Sequence, residues 1–160
     1  MAKYRVLFVV VLLAATMLAA TRDVAFAEGG RFRCAPALLD GLYVLSATGW
    51  GIVPGTTPDP SAPLPPKAII EMIRFNGDGT LVSPASTRSV NGSVVSATSS
   101  TGTYTIDEVD QSSGGCSGTI TFAEGPRWAF FTSVVAAGEL WVILTNDKNV
   151  FRGNATKIAR

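Results

Sequence analysis

Short apolar segments alternate with clusters of glycine, asparagine, aspartate, serine and proline along most of the chain. After residue 28 no segment keeps the 3.6-residue apolar period of a helix, whereas many alternate with the two-residue period of a strand. The pattern therefore predicts an all-β protein. The predicted strands are residues 42–48, 68–75, 80–82, 93–98, 103–106, 117–122, 127–135, 140–145 and 150–158.

The connections between the predicted strands are short after residue 68, so strands that are consecutive in sequence are expected to pair. About eight such strands favour an antiparallel up-and-down barrel, because closing the sheet removes its free edges. We expect one barrel domain over residues 39–160, preceded by an N-terminal arm at residues 28–38.

The two strands predicted within residues 127–145 are apolar on both faces. Trp128 and Phe131 fall on opposite faces of the first strand, and Leu140 and Trp141 fall on opposite faces of the second. A sheet with one face in water should alternate apolar and polar residues instead. One face can fill the barrel, and a homo-oligomer is the simplest cover for the other.

The N-terminus has the three parts of a secretory signal peptide. Lys3 and Arg5 precede the apolar segment Val6–Ala20, and a small-residue site ends at Ala27. We expect cleavage after Ala27, with residues 1–27 as the signal peptide and a secreted or periplasmic mature protein. Fifteen apolar residues are few for a permanent membrane anchor, although an uncleaved signal anchor is the alternative.

The composition excludes several kinds of site. The chain has no histidine, so it holds neither a Ser-His-Asp triad nor a histidine-ligated metal, and its two cysteines cannot form a four-thiolate site. The turn Asn76–Gly79 resembles the start of a calcium loop, but Thr87 occupies the twelfth position, where an acidic ligand is required. The sequence thus predicts no metal and no cofactor.

The charge of the mature chain argues against a nucleic-acid partner. Without residues 1–27 the 13 basic and 12 acidic residues become 10 and 11, a net charge of −1. The remaining arginines are scattered and form no basic footprint.

Cys34 and Cys116 are expected to form a disulfide, because an exported protein meets oxidising conditions. The bridge would join the N-terminal arm to the barrel. Two free buried thiols are the alternative.

Four short motifs follow one another along the chain: Gly41-Leu42-Tyr43, Phe75-Asn76-Gly77-Asp78-Gly79, Gly102-Thr103-Tyr104 and Cys116-Ser117-Gly118-Thr119. Their order resembles that of small secreted bacterial β-barrels of the calycin-like and allene-oxide-cyclase-like type, over about residues 39–158. The resemblance implies a barrel, and plant allene oxide cyclases use such a barrel as a trimer with an apolar cavity. It carries over no catalytic residue.

A proline-rich segment, Pro54–Pro66, separates the first two predicted strands. Prolines at this density favour an extended, partly polyproline II conformation. We interpret it as a stiff loop that could cover a ligand cavity, and a docking peptide for an SH3-like domain is the alternative.

Glu71 and Arg74 are charged residues within the second predicted strand, and they fall on opposite faces. One of the two can face solvent while the other lies near the rim of the barrel. Alternatively Glu71, which shares its face with Ile73, lies inside with a raised pKa and acts as a general acid or base. Glu71 is therefore the candidate catalytic residue.

Aromatic and aliphatic side chains are the candidates for lining a ligand cavity, with core packing and subunit contacts as the alternatives. These candidates are Tyr43, Trp50, Ile73, Tyr104 and Trp128.

The expected function is that of an exported, non-catalytic barrel that binds a small apolar ligand or has a structural role. One alternative is a cofactor-free isomerase or cyclase that acts on a lipid-derived substrate. Another is a protein–protein interaction module, such as an inhibitor or an envelope-associated protein.

Overall fold

The computed structural model of the 160-residue chain describes residues 33–51, 61, 63–110, 112, 114–146 and 149–160. The predicted signal peptide and most of the predicted proline-rich loop lie outside the described residues. A short 3-10 helix is followed by eight strands, whose bounds are β1 Gly41–Gly51, β2 Pro66–Phe75, β3 Thr80–Val90, β4 Ser93–Asp110, β5 Gly115–Phe122, β6 Arg127–Ser133, β7 Glu139–Leu144 and β8 Asn149–Ala159.

The eight strands form a closed antiparallel barrel in which each strand pairs with the next, and β1 pairs with β8. This topology confirms the predicted up-and-down barrel. Among the described residues there is no helix with the length and hydrophobicity of a membrane span.

The main difference from the predicted strands lies in residues 80–110. The strand predicted at 80–82 continues to Val90, and the strands predicted at 93–98 and 103–106 are parts of the single strand β4. Asn91 and Gly92 form the turn between β3 and β4, both with positive φ. The serines and threonines of this hairpin hide the strand signal, yet the two strands pair from Thr80 with Thr103 to Val90 with Ser93.

Alternate residues of every strand face the interior and form one core. On β1 these are Tyr43, Leu45 and Ala47, each almost fully buried, whereas Ser46 and Thr48 on the alternate row are exposed. The rest of this core is Leu39, Ile73, Phe75, Leu81, Tyr104, Ile106, Cys116, Ile120, Phe122, Trp128, Phe130, Leu140, Val142, Leu144, Phe151 and Ala155.

The two ends of the barrel differ. At the arm end, where β1 begins, the 3-10 helix Pro36–Leu39 packs on the barrel with Leu39 fully buried. The Tyr104 hydroxyl donates to the Pro36 carbonyl at 2.8 Å, and Cys34 is disulfide-bonded to Cys116, as predicted, with a Cα–Cα distance of 5.6 Å. The opposite end, where β1 ends and β2 begins, is called the groove end below.

Glycines stand where β1 and β8 meet to close the barrel. A Cβ atom at Gly49 would lie 1.7 Å from the Val150 carbonyl oxygen, and one at Gly153 would lie 2.1 Å from the Ser46 carbonyl oxygen. Real Cβ atoms do not approach other atoms to these distances, so glycine is required at both positions.

Replacing both Cys34 and Cys116 with serine is expected to lower the free energy of unfolding by about 4–5 kcal/mol, because the bridge spans 82 positions and limits the entropy of the unfolded chain. Denaturant unfolding measures this loss. Tyr104→Phe is the control, since it removes one arm hydrogen bond and keeps the disulfide, at a cost of about 1 kcal/mol. Equal stabilities with and without the bridge would contradict the prediction.

Candidate functional site at the groove end

The arm end is occupied by packed side chains. Phe75 lies between Tyr43 and Tyr104, with edge-to-face ring contacts at centroid distances of 5.1 and 4.9 Å. The Tyr43 hydroxyl donates to the Ala137 carbonyl at 2.7 Å. Burial, with smaller contributions from Tyr104 and Asp40, raises the pKa of Tyr43 to about 12. Both tyrosines therefore have structural roles here, and their hydroxyls are already bonded.

The groove end carries an open groove of about 360 Å³. Its walls come from the last residues of β1 and the first of β2, and it extends to the turn between β3 and β4. Trp50 is the one aromatic side chain among the lining residues, and it is 56% exposed. The groove is lined by Thr48, Gly49, Trp50, Pro66, Lys67, Ala68, Ser89 and Gly92.

Lys67 is among the lining residues, but its side chain lies on the inward row of β2, the face of the sheet opposite Trp50. Its Nζ donates to the Asn149 Oδ1 at 2.7 Å, which ties β2 to β8 across the end of β1. Gly51 at the end of β1 leaves room for this hydrogen bond. A Cβ at Gly51 would lie 1.9 Å from the Asn149 Oδ1 and 2.6 Å from the Lys67 Nζ. Burial, and then the nearby positive charge of Arg88, lower the pKa of Lys67.

Glu71 lies deeper on the same inward row of β2 as Lys67. It is buried, and it is paired in register with Leu45 on one side and Ser86 on the other. Burial raises the pKa of the Glu71 carboxyl, and a hydrogen bond with Ser83 opposes part of that effect. Arg74 is exposed on the outer face. The barrel thus encloses an acid that burial favours in its neutral, proton-donating form.

Trp128 adds an unsatisfied donor to the interior. The side chain is almost fully buried and contacts Phe151 edge-to-face, with ring centroids 6.1 Å apart. Within the described residues, the indole Nε1–H has no hydrogen-bond partner. A buried donor of this kind is normally satisfied by water or by a bound acceptor.

The structure separates the predicted ligand-contacting residues into two groups. Tyr43, Ile73, Tyr104 and Trp128 are buried inside the barrel, whereas Trp50 lies at the groove. These residues therefore do not meet in one site.

Sequence reasoning missed three polar residues around the site: Lys67, Ser83 and Arg88. A signal existed for Lys67, because it is four positions before Glu71 and so faces the same side of an extended strand. Ser83 and Arg88 fall in the serine-rich region, where the strand was not predicted to continue beyond residue 82.

No protein-family model, no curated protein and no solved structure matches the chain. The part of the calycin-like resemblance that the structure bears out is the closed antiparallel barrel of eight strands. Within the described part of the chain, no group of three or more acidic or cysteine side chains is arranged to hold a metal ion.

Replacing Glu71 with glutamine is expected to change how stability depends on pH. The pKa of Glu71 is raised in the folded state above its ordinary value of 4.5. The contribution of protonated Glu71 to the free energy of unfolding is therefore complete below pH 4.5 and is lost as the pH rises through the folded pKa. Between the unfolded and the folded pKa of Glu71, the free energy of unfolding of the wild type should fall relative to that of Glu71→Gln, by up to about 1.4 kcal/mol per pH unit.

Urea unfolding over a pH series measures this difference. Glu124→Gln is the matched control, since Glu124 is exposed in the turn between β5 and β6. Parallel pH profiles for the wild type and Glu71→Gln would show that Glu71 ionises in the folded protein as it does in the unfolded chain.

Proposed function

We propose that this protein is an exported, non-catalytic barrel that binds a small apolar molecule at the groove end. The ligand lies against Trp50 on the outer face of β1 and β2. This function follows from the exposed apolar wall that Trp50 and its neighbours present at the groove end.

The single observation that carries the proposal is the groove itself, with exposed Trp50 on the β1 side and Pro66 and Ala68 on the β2 side. Small-molecule sites combine mostly apolar walls with a few placed polar groups. The disulfide supports the exported location, because such bonds persist in oxidising compartments.

Trp50→Ser is expected to weaken ligand binding about tenfold, because it removes the aromatic wall of the groove. Native mass spectrometry of protein from an exporting host would first identify a co-purified molecule. Titration with anilinonaphthalene sulfonate, which joins an apolar ring system to an anionic group, then compares the variants through the emission of the probe.

Trp141→Ser is the matched control, because Trp141 is exposed to a similar degree on a different face, β7. It should bind the probe as the wild type does. Equal losses in both tryptophan variants, or no binding of any apolar compound by the wild type, would contradict the proposed site.

A second candidate function rests on Glu71. A buried carboxyl with a raised pKa, beside Ser83, can act as a general acid or base, and the resemblance to allene-oxide-cyclase-like barrels implies a cofactor-free isomerase or cyclase for a lipid-derived substrate. In that case the ligand would enter the barrel instead of remaining in the groove.

This second function predicts that Glu71→Gln keeps the fold and abolishes turnover, since the amide cannot exchange a proton with the substrate. Product formation from lipid-derived epoxides is the measurement, with circular dichroism as the folding check. Glu124→Gln should keep full activity. Equal turnover in the Glu71→Gln variant and the wild type would remove Glu71 from the mechanism.

A further inference from the structure

An apolar patch lies on the outer face of β6 and β7. Phe131 and Trp141 are directly paired across the two strands and are 57% and 49% exposed. The next outward pair along the strands is Ala129 with Ile143, and Ile143 is 49% exposed. Cross-strand pairing makes these four side chains one continuous surface, called the β6–β7 patch below.

The β6–β7 patch is not needed to fill the barrel. The inward residues of the same two strands, Trp128, Phe130, Leu140 and Val142, already belong to the core. The neighbouring strands instead carry polar residues on their outer faces, such as Thr119 on β5 and Asn154 on β8. The patch therefore has polar borders, as a protein-binding surface does.

Charged residues of opposite sign lie at the two ends of this patch. Glu139 begins β7 two residues before Trp141, and its Oε1 accepts from the Asn154 Nδ2 at 3.0 Å, which holds it on the outer face. Arg152 on β8 is in register with Ile143, two residues after Trp141, and is exposed. Arg127 begins β6 at the same end as Arg152 and is also exposed.

We infer that the β6–β7 patch binds a second copy of this chain through a twofold axis that passes near the Phe131–Trp141 pair. Rotation about that axis exchanges the acidic and basic ends, because Glu139 and Ile143 are equally far from Trp141 along β7. Glu139 of one copy then lies over Arg152 of the other, twice in the dimer. An isologous interface requires this self-complementarity, and an unrelated partner does not.

The apolar centre and the charged ends contribute differently. Aromatic side chains at the middle of an interface usually carry most of the binding energy, so Phe131 and Trp141 hold the copies together. The ion pairs at the rim fix the antiparallel orientation more than they add affinity. Because the apolar centre is only a few residues wide, the dimer should be weak and concentration-dependent.

Sedimentation velocity of the disulfide-bonded protein from micromolar to millimolar concentrations tests the inference. The wild type should pass from monomer to dimer, and Trp141→Ser should raise the dissociation constant about tenfold or more. Glu139→Arg and Arg152→Glu should each weaken the dimer several-fold, since each places like charges together. Combining both reversals should restore the wild-type dissociation constant.

Ile70→Ser is the matched control, because Ile70 is 60% exposed on the outer face of β2 and should not affect association. Circular dichroism confirms that each variant keeps its fold. A wild type that stays monomeric at every concentration, or a dimer that Trp141→Ser leaves intact, would overturn the inference. Loss of the dimer in both charge variants without rescue by the double reversal would overturn the antiparallel twofold arrangement.

Discussion

The pairing of β1 with β8 is the contact on which the rest of the structure depends. It turns a meander of eight strands into a closed barrel, so that no strand has an unpaired edge and one set of side chains is enclosed. Gly49 and Gly153 permit this pairing, since any side chain there would overlap the backbone of the facing strand. The arm then covers one end of the enclosed space, and the disulfide at Cys34 holds it there.

Closure also decides the chemistry of the interior. Glu71 faces the interior of the barrel, where most side chains are apolar and Ser83 provides a hydrogen bond. The carboxyl is therefore removed from water and retains its proton to higher pH. Lys67, two inward positions nearer the rim, keeps contact with Asn149 at the open end. The same row of β2 thus runs from a lysine at the rim to a buried carboxyl whose pKa is raised.

The outside of the barrel is not uniform. Most strands carry serine, threonine or charged residues outward, whereas β6 and β7 carry Phe131, Trp141 and Ile143. The groove and the β6–β7 patch involve different strands, so ligand binding and self-association would use separate surfaces. A small barrel can in this way present two interaction sites without a second domain.

The sequence by itself determined the all-β class and the pairing of consecutive strands, and it predicted the Cys34–Cys116 bridge. These follow from local periodicity, from turn residues and from the predicted export, all of which are readable along the chain. Only the tertiary structure decided that Glu71 and not Arg74 lies inside, that Lys67 and Arg88 lie close together, and that Trp50 is exposed whereas Trp128 is buried. Such outcomes depend on which face of a strand the closed sheet turns inward and on contacts between distant strands, and alternation alone leaves both open.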